Sequence, residues 1–157
     1  MPASPADELI RTLLSHPDPE SRRQAATGLG GIDGGGPAIA ALVRALHDTD
    51  RGVRAAVASA LAAIGPPAVG SLVVALEHGD WVVRYRAAEA LGSIRDERSG
   101  TALLRALSDR RDHVRYMAAK GLGGLGERRA IGPLTEALSD ENEFVRRAAE
   151  RALAALR

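Results

Sequence analysis

Three sets of residues in this sequence could do chemistry. His16, His47 and His78 recur every 31 residues, and histidines at fixed spacing suggest metal ligation. Arg22, Arg54, Arg84, Arg115 and Arg146 recur at steps of 32, 30, 31 and 31 residues, and a row of guanidinium groups suggests phosphate or nucleic acid. The third set is the four aromatic residues, Trp81, Tyr85, Tyr116 and Phe144, whose rings suit a protein interface. Cysteine is absent, which excludes disulfides, thiolate metal sites and a cysteine nucleophile.

What could position these residues is a repeat. The residue before each ladder arginine is Ser21, Val53, Val83, Val114 or Val145. Four positions on stand Ala25, Val57, Ala87, Ala118 and Ala149, eight on stand Leu29, Leu61, Leu91, Leu122 and Leu153, and eleven on stand Ile32, Ile64, Ile94, Leu125 and Leu156. Offsets of 0, 4, 8 and 11 share one face of a 3.6-residue helix, so each copy carries an amphipathic helix. Upstream, Ile10, Leu42, Leu72, Leu103 and Leu134 each precede a leucine by four residues: Leu14, Leu46, Leu76, Leu107 and Leu138. That spacing marks a second helix in every copy.

Entry signals agree with this division. Ser4-Pro5 with Asp7, Gly36-Pro37, Pro66-Pro67 and Ser99 open the first helices, while Asp18, Asp50, Asp80, Asp112 and Asn142 open the second. Short turns run from Gly30 to Gly36, at Gly65-Pro66, from Arg95 to Arg98 and from Gly126 to Arg129. The expected fold is all-α: an α-solenoid of five antiparallel helix pairs in a curved right-handed superhelix, one domain over 1–157 with repeats at 4–32, 36–65, 66–95, 97–126 and 128–157.

Placed on this scaffold, two of the three sets lose their chemistry. Equivalent residues in stacked helices lie about 8–10 Å apart, whereas zinc ligands each sit about 2 Å from the ion. The histidines therefore cannot close on one ion, and no metal site is expected. Asp18-Arg22, Asp50-Arg54 and Asp80-Arg84 are i, i+4 pairs, so the arginines are expected to bond a capping Asp or a turn carbonyl of an adjacent repeat. The glycine runs 28–31 and 34–36 follow no strand and lack the lysine of a phosphate loop.

The aromatics remain. Second-helix contact positions are Ala or Gly, such as Ala87, Ala88, Gly92, Ala118, Gly121 and Gly123, so these helices pack closely and line the inner, concave arc. Positions pointing away from their apolar stripe include all four aromatics. The candidate partner-binding residues are Trp81, Tyr85, Glu89, His113, Tyr116, Met117, Lys120, Phe144, Arg147 and Arg151, on the second helices of repeats three to five.

The pattern D-x-x-V-R-x-x-A-A-x-A-L-G-x-I, nearly complete in Asp80 to Ile94, resembles the HEAT-like repeats named after phycocyanobilin lyases. The resemblance covers essentially the whole chain. It implies the solenoid and its concave face; the same repeat serves enzymes, regulators, adaptors and binding scaffolds. Some HEAT-like hydroxylases bind iron through His-Glu dipeptides, and this chain has only the reverse, Glu77-His78.

A net charge of +1 gives no global field for nucleic acid or an anionic membrane. The one basic patch is Arg98, Arg105, Arg110, Arg111, Arg115 and Lys120 of repeat four. No apolar run reaches the roughly 18–20 residues of a membrane span, and the first residues lack the pattern of a signal peptide. The expectation is a non-catalytic cytoplasmic scaffold, without cofactor, that holds a protein or peptide. A subunit of a bilin-lyase-like enzyme is the alternative, and nucleic-acid binding ranks third. Glu150 on the last helix and Arg11 on the first read as polar end caps, which favours a monomer over an end-to-end dimer.

Overall fold

A computed structural model describes residues 3–33 and 35–157; Gly34 of the expected glycine turn and the first two residues lie outside the described residues. Those described form ten α-helices and no strand. The helices fall into pairs: α1 (Pro5–Ser15) with α2 (Pro19–Gly30), α3 (Gly35–Ala45) with α4 (Arg51–Ile64), α5 (Val69–Ala75) with α6 (Trp81–Ile94), α7 (Gly100–Ala106) with α8 (Asp112–Leu125), and α9 (Ile131–Ala137) with α10 (Glu143–Ala155). In the last three pairs a single 3₁₀ turn, Pro66–Ala68, Glu97–Ser99 or Arg128–Ala130, leads into the first helix. Among the described residues no single helix is long and apolar enough to cross a membrane.

The local signals act where the sequence places them. Ser4 and Asp7 form a reciprocal capping box at α1. Asp18, Asp50, Asp80 and Asn142 each accept a backbone N–H from the first turn of their helix. At α8 the cap is Arg111, which makes no side-chain bond, and Asp112 sits inside the first turn.

The repeated apolar positions form the core. Val53, Val57, Leu61, Leu91, Leu122 and Leu134 are fully or almost fully buried. Three expected core residues are not: Leu14 is 38%, Ile32 37% and Leu138 37% exposed, and in α1 Leu13 is buried instead. All three belong to terminal repeats, which have a neighbour on one side only.

The second helices pack backbone to backbone. A Cβ added at Gly30 would lie 2.8 Å from Cα of Ala60, and one at Gly123 would lie 2.8 Å from Cα of Ala152. Cα of Gly121 is 3.2 Å from the Cβ position of Gly92. The first helices of successive pairs touch much less. The row with closer spacing is the inner arc of the stack, so α2, α4, α6, α8 and α10 line it.

The arginine ladder ties repeats one to two, three to four and four to five. Arg84 Nε and one terminal nitrogen donate to the Asp109 carboxylate at 2.7 and 3.0 Å, while its other terminal nitrogen donates to the carbonyls of His78 and Gly79. Arg22 grips Asp48 and Arg115 grips Asp140 in the same bidentate way. This corrects the expected i, i+4 pairs: the capping Asp is occupied by backbone N–H groups, and the arginine reaches a different Asp about 25 residues on. Burial pushes the Asp109 carboxyl upward, but the bonds from Arg84 and from the N–H of Arg111 outweigh it, and the net shift is below the usual carboxylate range.

One rung is missing. The place held by Asp48, Asp109 and Asp140 belongs to His78 in repeat three, where Nδ1 accepts the Asp80 N–H. Arg54 still donates to the carbonyls of Asp48 and Thr49, but its Nε is buried without a partner. Replacing His78 with Asp is expected to complete the rung and raise stability by about 1 kcal/mol. Urea denaturation checks this, and an unchanged or lower midpoint would count against the pairing.

Candidate functional site

α6, α8 and α10 stand side by side, so residues near their N-termini form one surface. Trp81, the first residue of α6, has the Arg111 guanidinium 4.4 Å from its ring and the His113 ring at 5.2 Å. One turn on, Tyr85 is half-buried against the core, meets His113 edge-on at 6.2 Å and carries Arg86 at 5.1 Å over its ring. Burial, then the Glu89 carboxylate, raises its phenol above the ordinary value. His113 Nδ1 is 2.7 Å from Asp112 Oδ1, and Asn142 donates to the other carboxylate oxygen of Asp112. His113 is the leading cause holding the Asp112 carboxyl below its usual range.

These groups enclose a shallow cleft of about 190 Å³, lined by Tyr85, Asp112, His113, Tyr116, Asn142 and Phe144. Phe144 is 65% exposed, although a large apolar ring in water is unfavourable. Two troughs continue toward the C-terminal ends of the same helices. One, of about 260 Å³, runs from Tyr116 past Lys120 to Arg151. The other, of about 610 Å³, runs between Glu89, Lys120 and Arg95. Gly92, Gly121, Gly123 and Gly124 contribute to these walls, and the missing side chains leave the space.

The structure thus brings Tyr85, His113, Tyr116 and Phe144 together, with Trp81 at their edge and Lys120 and Arg151 further along. Met117 is a correction: it is only 8% exposed and belongs to the core, with an edge on the trough floor. Glu89 and Arg147 are not free rim charges, because Arg86 binds Glu89 at 2.7 Å and Glu143 binds Arg147 at 2.5 Å. Sequence reasoning did not place Arg86, Arg111 or Asn142 at this site: Arg111 reads there as part of a basic patch and Asn142 as a helix opener, and their roles here depend on neighbouring helices. It also missed Arg95, although a non-glycine where Gly65 and Gly126 end their helices was a visible signal.

Two of the three histidines come closer than the helix spacing of about 8–10 Å suggests. His47 and His78 rings are 5.9 Å apart, and His47 contacts Asp80 at 2.9 Å. Among the described residues no group of three or more His, Cys, Asp or Glu is placed to hold a metal ion.

The sequence matches the model for HEAT repeats over residues 6–76 and 69–154. No curated protein matches it. Among solved structures the chain is similar to the complex of CpcE and CpcF of phycocyanin lyase from Nostoc sp. PCC7120, at 28% identity and a TM-score of 0.72, covering 99% of this chain and 66% of that one. It therefore spans slightly less than two thirds of that relative's length. An engineered protein is 27% identical with a TM-score of 0.59, over 98% of this chain and 80% of that one. A designed armadillo repeat protein in complex with the peptide (KR)4 is 21% identical with a TM-score of 0.61, over 95% and 80% of the two chains, and shares the fold. With ten helices in five stacked pairs and the family pattern along nearly all its length, the chain belongs to the HEAT-repeat family.

Proposed function

We propose that this protein is a non-catalytic scaffold that binds a protein or peptide on the inner face of α6, α8 and α10. The observation that carries the reading is the aromatic cleft. Tyr85, Tyr116 and Phe144 present apolar surface to solvent around a preformed depression, while ordinary surface positions elsewhere in the chain hold no aromatic at all. Stacked helices fix these rings before a partner arrives, so little ordering entropy is lost on binding. Trp81, His113, Lys120 and Arg151 extend the surface.

The double substitution Tyr85→Ala/Tyr116→Ala is expected to weaken partner binding by about 2 kcal/mol or more. The measurement is a pull-down from native extract with both proteins, followed by titration of whichever partner the wild type retains. Circular dichroism first establishes that the variant keeps its helices. Equal recovery of every partner would sink the assignment.

The likeness to the phycocyanin lyase complex supports a second reading, a subunit of a lyase-like enzyme that acts with another repeat chain. Its mark would be a visible absorption band from a bilin held by the purified protein. A colourless protein after co-expression with a bilin source would weigh against it.

A further inference from the structure

Several basic residues on the inner face are already paired. Arg23, Arg86 and Arg147 bind Glu20, Glu89 and Glu143 of their own helices. Arg95, Lys120 and Arg151 differ: all three are exposed, line the two troughs, and make no side-chain ion pair or hydrogen bond among the described residues. Lys120 lies on both troughs, with Arg95 closing one and Arg151 the other.

Arg95 is also held in an unfavourable place. It caps α6 in the left-handed region, with φ 57 and ψ 41, where Gly65 and Gly126 follow α4 and α8. A side chain with a Cβ is disfavoured there. Glycine would suit the backbone better, yet the position carries a guanidinium whose Nε lies beside Gly124 of the next repeat.

We infer that the partner is an acidic peptide segment with one apolar side chain. The apolar group fills the cleft between Tyr85, Tyr116 and Phe144, and the carboxylates lie over Arg95, Lys120 and Arg151. This rests on the peptide-binding reading above and names the chemistry of the partner. Spacing follows from geometry. Tyr116 to Gly124 is eight residues of helix, or about 12 Å at 1.5 Å per residue. An extended chain covers that distance in about four residues, so acidic residues belong two to four positions from the apolar one. A nucleic acid fits less well, since three cations beside one apolar cleft offer few phosphate contacts.

The test is fluorescence anisotropy of the labelled peptide Glu-Glu-Gly-Phe-Gly-Glu-Glu with the full chain. Its symmetry serves either chain direction. Saturable binding is expected that weakens about tenfold in Lys120→Glu/Arg151→Glu and fades as salt rises from about 0.05 to 0.5 M. Arg95→Gly, which relieves the backbone, is expected to bind about threefold more weakly while melting at a higher temperature. The counterpart Lys-Lys-Gly-Phe-Gly-Lys-Lys should not bind. The inference is overturned by no saturation at about 1 mM acidic peptide, by equal binding of the basic peptide, by tighter binding of a single-stranded oligonucleotide, or by charge-reversed variants that bind unchanged. If pulled-down partners depend on Tyr85 and Tyr116 but not on Lys120 and Arg151, the groove stands and its acidic ligand falls.

Discussion

Replacing Arg84 with alanine is expected to lower the unfolding free energy by about 3 kcal/mol. The guanidinium and the Asp109 carboxylate are 7% and 11% exposed, so truncation leaves a nearly buried carboxylate without its cation. It also releases the carbonyls of His78 and Gly79. Urea denaturation measures the loss. A double-mutant cycle with Asp109→Ala should return a coupling of at least about 1 kcal/mol, because the two changes remove the same bonds. Arg105→Ala is the control: that side chain is 73% exposed and 4.0 Å from Glu77, and its effect should stay within about 0.5 kcal/mol. If Arg84→Ala and Arg105→Ala behaved alike, the ladder would have no structural role.

The same rung has a pH signature. Asp109 is held below its ordinary value of 3.8 in the folded chain, so the unfolded chain binds its proton first as acid is added. The stabilisation is complete above pH 3.8 and is lost as pH falls through the folded-state value. Asp48 and Asp140 are depressed by the same balance of burial against arginine and backbone N–H bonds. Arg84→Ala should therefore flatten the decline in stability on acidification, measured by urea midpoints at successive pH values.

Gly123→Val is expected to destabilise by about 3 kcal/mol. The new Cβ would stand 2.8 Å from both Cα and Cβ of Ala152. That neighbour is helix backbone and cannot swing aside, so α8 and α10 must separate along their length. Separation would also open the trough between Tyr116 and Arg151. Gly70→Ala offers the contrast, since nothing lies within 4 Å of a Cβ there. It should stabilise α5 by about 0.5–1 kcal/mol through helix propensity. Thermal unfolding of both variants decides between close packing and mere helix propensity at Gly123.

Much of this was legible in the sequence because the physics is periodic. Val83, Ala87 and Leu91 recur at helical spacing, and that spacing alone places them in the core. It also places Tyr85 and Tyr116 at matching positions of successive helices, where the structure has them share one cleft. Met117 escaped the reading because it sits at the border of the apolar stripe, where Arg86 and Ala148 are its counterparts. At such a border the neighbouring helix, not the periodicity, decides what is covered. The arginine partners escaped for a different reason. An acid four residues away, readable from the sequence as a helix cap, competes with one about 25 residues away, and only tertiary geometry brings the distant one within reach. The recurrence of Asp48, Asp109 and Asp140 was the available clue.

The missing rung bears on how the array comes apart. Stability of a stacked array is a sum over repeats and the junctions between them, and these junctions are unequal. Between repeats two and three Arg54 lacks its carboxylate, and Ala62 stands where Gly30, Gly92 and Gly123 permit close approach elsewhere. α4 and α6 accordingly touch less than the other neighbouring inner helices. Unzipping should begin there, leaving the three repeats that carry the aromatic cleft as the last cooperative block. Amide hydrogen exchange would register this as a step in opening free energy between α4 and α6, and His78→Asp should shrink that step. A uniform profile in the wild type would mean that the array opens as one unit.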